Sequence, residues 1–97
     1  MSEIHVVADL RFKENSVADV IPLLNGMVEN TRKEEGCVSY DLVQDSKNIG
    51  IFFTLEVWES QDDIDRHLHS EGIKTMMEKA KPFFVAEPAI HQCQKLS

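Results

Sequence analysis

The residues best able to do chemistry lie in one stretch, where a predicted strand leads into a predicted helix. Glu56 and Trp58 belong to the strand segment 52–58, and His67 lies on the helix that follows. Because histidine titrates near neutral pH, an inward-facing His67 beside Glu56 could act as a general base. The alternative stays open, since a single histidine on an apolar helix stripe is more often a structural residue with a hydrogen-bond partner.

Alternation along this strand divides its side chains between two faces. One face is apolar throughout and is predicted to be core; it carries Phe53, Leu55 and Val57. The other face mixes two large aromatic side chains with a hydroxyl and a carboxylate, which suits the wall of an organic ligand site better than a core. That second set is Phe52, Thr54, Glu56 and Trp58.

The helix after the strand has a recognisable start and an inward stripe. Ser60 followed by Asp63 resembles a capping box, with Asp in the place of the usual Glu or Gln. Ile64, His67 and Leu68 have the spacing i, i+3, i+4, so they share one face of the helix. His67 is therefore predicted to point towards the strand.

The remaining elements follow from periodicity and breaker residues. A first strand covers residues 4–12, and a helix follows with Ser16 as its N-cap, Pro22 as an interruption and Gly36 as its C-terminal cap. For Pro22 two outcomes stay open: a kink, or a regular helix that begins nearer Asp19. A hairpin with a turn at residues 46–48 joins the second and third strands. Ser70 caps a further helical segment that Pro82 ends, and a last strand covers residues 86–93, where Pro88 indicates either an edge position or a late start.

This order of strands and helices predicts an α+β, ferredoxin-like (βαββαβ) fold in one domain spanning residues 1–97. It is a four-stranded antiparallel sheet with its helices on one face. The uncovered face is expected to carry Phe52 and Trp58. Because such an apolar patch exceeds what a monomer usually exposes, we expect a homodimer with the sheets facing each other.

Composition and motif content argue against several classes of function. A net charge of −7 over 97 residues argues against nucleic-acid partners and against anionic membrane surfaces, since both require basic patches. The sequence has no long apolar run and no signal-peptide pattern, so a cytoplasmic protein is expected, with Cys37 and Cys93 as reduced thiols. The four histidines lack the spacing of a metal site, and no phosphate-binding or nucleophile motif is present. No cofactor is therefore expected.

Several short motifs in this order resemble the antibiotic biosynthesis monooxygenase (ABM) family of small, quinol-monooxygenase-like proteins. They are Glu35-Gly36-Cys37, Tyr40, the run 55–60, and His67 with Ser70 three residues on. The similarity extends over residues 4–93. It implies a dimeric α/β barrel whose subunits each hold a pocket between sheet and helices.

The resemblance also implies a reaction in which the substrate supplies much of the reactivity. A small aromatic or quinol-type compound would be oxidised by dioxygen without metal or flavin. His67 is the predicted base or proton shuttle, and Glu56 would orient it. Trp58 and Phe52 are predicted to contact the substrate, with Tyr40 as a further candidate that could equally be a buried structural residue.

Three rival functions remain. Haem-degrading relatives carry an Asn on the first strand where this sequence has Ala8, which counts against haem degradation. Relatives that process a phosphorylated signalling sugar need cations in the pocket. Arg11, Arg32, Lys33 and Arg66 are available for that role. The third rival is a dimeric, non-catalytic stress-response module that only binds a ligand.

Overall fold

The computed structural model describes residues 2–97 and contains one four-stranded antiparallel sheet with the strand order β2-β3-β1-β4. The strands are β1 (Ile4–Arg11), β2 (Cys37–Gln44), β3 (Ile51–Trp58) and β4 (Ala89–Cys93). The helices are α1 (Val17–Thr31), α2 (Gln61–Leu68) and α3 (Glu71–Ala80), with short 3₁₀ turns at Glu14–Ser16 and Lys81–Phe83. The predicted ferredoxin-like fold is confirmed, and its second helical region is divided into α2 and α3.

The division between α2 and α3 follows from two serine caps. Ser60 Oγ accepts a hydrogen bond from the backbone N–H of Asp63 and donates one to that carboxylate at 2.7 Å. Ser70 Oγ likewise accepts from the backbone N–H of Ile73, 3.3 Å away. Each cap satisfies N–H groups that a helix start leaves without partners, so both predicted helix starts are confirmed.

The first helix differs from the prediction in detail. It begins at Val17 and continues through Pro22, so the alternative of a start nearer Asp19 is wrong. Ser16 closes a 3₁₀ turn and makes no side-chain capping bond, because its hydroxyl faces Asn15 instead. The helix ends at Thr31, so Gly36 is not its cap; a turn separates the two.

Gly36 is required at its position for two other reasons. Its φ of +83° is a conformation that side-chain-bearing residues rarely adopt. A Cβ built there would lie only 2.0 Å from Cγ of Asp63. Gly36 therefore allows the turn after α1 to approach the first turn of α2.

The two faces of β3 are the reverse of the prediction. Phe52, Thr54, Glu56 and Trp58 are buried beneath the helices, on the same side as the buried residues of β1. Leu55 is 43% exposed, and Phe53 and Val57 are only partly covered, so they lie on the open face rather than in the core. The polar groups of the buried face bond to one another, which removes the cost that would otherwise keep them out of a core.

The fourth strand begins at Ala89 and pairs only with β1, so it is the late-starting edge strand that Pro88 predicted. Before it, the chain is tied to the end of β1. The backbone N–H of Lys13 donates to the carbonyl of Phe83 at 2.9 Å, and that of Val85 donates to the carbonyl of Arg11 at 3.0 Å. These bonds fix the connection between α3 and β4 against the sheet.

Candidate active site

A cavity of about 240 Å³ lies between the covered face of the sheet and the helices. Most of its wall is aliphatic. Four buried polar side chains also line it: Tyr40, Thr54, Glu56 and His67. An apolar cavity of about 150 Å³ can already hold a benzene molecule, so the space fits a one-ring or small two-ring compound.

His67 is the most constrained of these polar groups. Its side chain is 4% exposed on α2, and its Nδ1 lies 2.9 Å from Oε1 of Glu34. Its ring packs against Trp58 at a centroid distance of 4.8 Å and against Tyr40 at 5.8 Å. Because an ionised carboxylate only accepts hydrogen bonds, Nδ1 carries the proton in neutral His67 and Nε2 is left as the proton acceptor.

Glu34 was not identified from the sequence. It lies in the turn after α1, between Lys33 and Glu35, and is separated from His67 by 33 residues. No motif or periodicity distinguishes it from neighbouring surface carboxylates. Only the fold, with Gly36 in its left-handed conformation, brings this turn to the first helix after β3.

Glu56 is buried and has both oxygens occupied. Thr54 Oγ1 donates to Oε2 at 2.6 Å, and Trp58 Nε1 donates to Oε1 at 2.9 Å. All three side chains lie on one face of β3 at i, i+2 spacing, so extended strand geometry alone aligns them. The hydrogen-bond partner of His67 is Glu34 rather than the expected Glu56, although both His67 and Glu56 line the cavity.

Tyr40 lies opposite Glu56 in the β2–β3 pairing. Burial is the main cause that raises the pKa of its phenol well above the ordinary value, and the negative charge of Glu56 acts in the same direction. The hydroxyls of Thr54 and Thr31 offset this only in part. Tyr40 therefore stays neutral at physiological pH.

Phe52 and Trp58 are not brought to the cavity surface. Trp58 is completely buried; its ring packs against His67, and its Nε1 donates a hydrogen bond to Glu56. Phe52 packs edge-on against Phe12 in the core, at a centroid distance of 5.9 Å. Neither aromatic side chain therefore forms part of the cavity wall.

The cationic side chains considered for a phosphate ligand lie elsewhere. Arg11 binds the carboxylate of Asp9, and Arg66 binds that of Asp63. Arg32 donates to the carbonyl of Tyr40 from outside the sheet. Within residues 2–97, the cavity lining includes no lysine or arginine, so nothing there would hold a phosphate.

Cys37, at the start of β2, is a poor nucleophile. Burial raises the pKa of its thiol, and the carboxylates of Glu34 and Glu56 raise it further. Over the described part of the chain, no three His, Cys, Asp or Glu side chains are arranged to hold a metal ion. None of the helices in residues 2–97 has the length and apolar character needed to cross a bilayer.

These features define a small α+β protein in which a ferredoxin-like sheet and its helices enclose a cavity lined by a buried histidine. The family model described as antibiotic biosynthesis monooxygenase matches residues 3–79. The chain belongs to this family, as its sequence motifs indicated.

Solved structures agree with this assignment. A crystal structure described as an antibiotic biosynthesis monooxygenase superposes with a TM-score of 0.92 at 26% identity, covering 97% of this chain and 99% of the other. A conserved protein from Methanosarcina mazei Go1 gives a TM-score of 0.90 at 30% identity, covering 99% of this chain and 95% of the other.

A curated relative, an uncharacterised protein of Synechocystis sp. (strain ATCC 27184 / PCC 6803 / Kazusa), is 28% identical over 92 residues. That match takes in 95% of this chain but 62% of the relative's length. The chain therefore spans less than two thirds of this relative.

Proposed function

We propose that the protein is a cofactor-independent monooxygenase that oxidises a small phenol or quinol with dioxygen. The observation that carries the proposal is the buried His67, which lines an apolar cavity while Glu34 holds its Nδ1. Membership of the monooxygenase family supports the same reaction class. The absence of cationic side chains from the described lining argues against the phosphorylated-sugar alternative.

In the proposed reaction His67 Nε2 takes the proton of a phenolic hydroxyl. The phenolate passes one electron to dioxygen, and the aryloxyl radical and superoxide combine at a ring carbon. The imidazolium of His67 then returns its proton to the peroxide anion, which becomes a hydroperoxide. Loss of water from the resulting hydroperoxide gives a quinone. A phenol and O₂ thus yield a quinone and H₂O, with all electrons supplied by the substrate and dioxygen, so no separate reductant is consumed.

The cavity residues favour the proton transfer that starts this sequence. The Glu34 carboxylate stabilises the imidazolium that forms when His67 accepts a proton. Neutral Tyr40 can donate a hydrogen bond to the developing phenolate oxygen. Aliphatic walls exclude water, which strengthens both interactions.

The test is oxygen consumption with a panel of hydroquinones and phenols. Replacing His67 with Gln keeps a polar side chain of similar length and should lower turnover by roughly a hundredfold or more. The matched control is His69→Ala, two residues along on an exposed position, which should leave turnover unchanged. Circular dichroism of each variant separates loss of chemistry from loss of fold.

Two results would refute the proposal. One is full turnover in His67→Gln, which would show that the imidazole takes no proton. The other is a rise in melting temperature with the phenols but no oxygen uptake, which would make the protein a binding module.

We also propose that two copies associate through the open face of the sheet. On this face Val7 pairs with Leu55 and Val43 pairs with Phe53, and the same two rows also carry Asp41 and Asp9. Leu55→Asp should convert a dimer to a monomer in analytical ultracentrifugation, whereas Leu96→Asp, at a residue that is 91% exposed near the chain end, should not. A wild-type chain that sediments as a monomer would contradict this interface.

A further inference from the structure

The polar side chains of the cavity wall differ in exposure from some of its apolar ones. The polar side chains that reach it are all nearly buried. Leu68 and Ile90 also line it, yet they are 38% and 48% exposed, so they mark its mouth. A molecule that entered here would place its polar group inside and leave an apolar part near the surface.

A surface groove lies next to this cavity. It has a volume of about 630 Å³ and shares two wall residues with the cavity, Met77 and Pro88. Its other lining residues come from the end of α3 and the connection to β4: Glu78, Lys81, Phe84, Val85, Ala86 and Glu87. Because Met77 and Pro88 border both spaces, the groove adjoins the cavity.

From this adjacency we propose that the ligand is amphiphilic, with a phenolic ring in the cavity and an unbranched apolar substituent lying in the groove. The inference rests on the proposed function, because the buried polar side chains of the cavity are taken to hold the reacting hydroxyl. It adds the substrate class, an aromatic compound with a hydrocarbon tail rather than a bare ring.

The groove suits a neutral hydrocarbon better than a polar or charged tail. Val85 is 61% exposed and presents an aliphatic side chain to the groove. The charged side chains in the lining are of mixed sign, one lysine and two glutamates, so they offer no match for an anionic substituent. Backbone hydrogen bonds from Val85 and Lys13 hold this wall in place before any ligand binds.

The test is a homologous series of 4-alkylphenols with methyl, propyl, pentyl and heptyl tails, bound to the full chain and followed by calorimetry. Each methylene that enters the groove should tighten binding roughly two- to fourfold, so the pentyl compound should bind at least about tenfold more tightly than the methyl compound. A phenol with an ether tail of equal length should bind no more tightly than the methyl compound.

Two variants locate the effect. Val85→Asp places a charge in the groove and should remove the dependence on tail length while leaving the affinity for 4-methylphenol unchanged. Leu96→Asp introduces the same charge beyond the other end of β4 and should preserve the whole series.

The possible failures are distinguishable. If 4-methylphenol binds but affinity does not change with tail length, the tailed-ligand proposal is wrong and the proposed function stands. If Val85→Asp instead disrupts a dimer, the groove is covered by a second copy and the proposal is again wrong. If no phenol binds at all, the proposed function fails with it.

Discussion

Replacement of Gly36 by Ala would test how the site is assembled. The backbone there has a φ of +83°, and a left-handed conformation costs a residue with a side chain about 1–2 kcal/mol. The new Cβ would also lie 2.0 Å from Cγ of Asp63, so the first turn of α2 must shift or its cap with Ser60 must open. For a domain of this size, the conformational cost alone should lower Tm by roughly 5–15 °C.

The displacement should also reach the candidate active site. Gly36 lies two residues after Glu34, and its carbonyl accepts a hydrogen bond from the backbone N–H of Glu59 at 2.9 Å, close to the start of α2. A shift of this turn would therefore move Glu34 relative to His67. Turnover should fall even at temperatures where the variant remains folded.

The matched control is Gly26→Ala, inside α1, where a new Cβ would meet nothing within 4 Å. It should stabilise the protein by about 0.5–1 kcal/mol, since alanine is the better helix former. Differential scanning calorimetry measures both variants. If Gly36→Ala melts within two or three degrees of the wild type, the reasoning from backbone strain and steric clash is refuted.

Three further predictions concern the cavity. Glu34→Gln should reduce turnover roughly 10- to 100-fold because it removes the charge beside His67. The control Glu35→Gln changes a neighbouring side chain that is 86% exposed and should have little effect. Equal losses of turnover in the two variants would contradict the pairing of Glu34 with His67. Tyr40 is the only tyrosine in the sequence, and burial raises the pKa of its phenol above 10.0. An ultraviolet titration should therefore show no phenolate near pH 10 until the protein unfolds. The free energy of unfolding should fall as the pH rises further, because the unfolded chain loses this proton first. Ala8→Leu should fill part of the cavity, raising Tm while weakening phenol binding, and unchanged binding would place the ligand elsewhere.

The fold could be predicted from local signals. Ser60 and Ser70 mark helix starts, Pro88 marks a late edge strand, and each prediction depends only on residues within a few positions. The faces of β3 could not be assigned in the same way. Leu55 was predicted to be core and the face with Glu56 a ligand wall rather than core, but Leu55 is 43% exposed and Glu56 is buried because Thr54 and Trp58 satisfy it.

The candidate site was predictable only in part. His67 was found from its helical spacing, and Tyr40 and Glu56 also reach the cavity. Glu34 could not be found, because its contact with His67 joins positions 33 residues apart and depends on the left-handed turn at Gly36. A sequence pattern reflects short-range order and carries little information on which distant carboxylate contacts a given imidazole.

The hydrogen-bonded series Thr54–Glu56–Trp58 has a consequence for how such proteins diversify. Its three members belong to one strand, so strand geometry alone positions the two that line the cavity, Thr54 and Glu56. The other polar residues of the site come from separate elements: His67 lies on α2, its partner Glu34 lies in a turn, and Tyr40 lies on β2. A related protein could replace His67 and Glu34 with other reactive groups and still keep the hydrogen-bonded residues of β3 in place for a new activity.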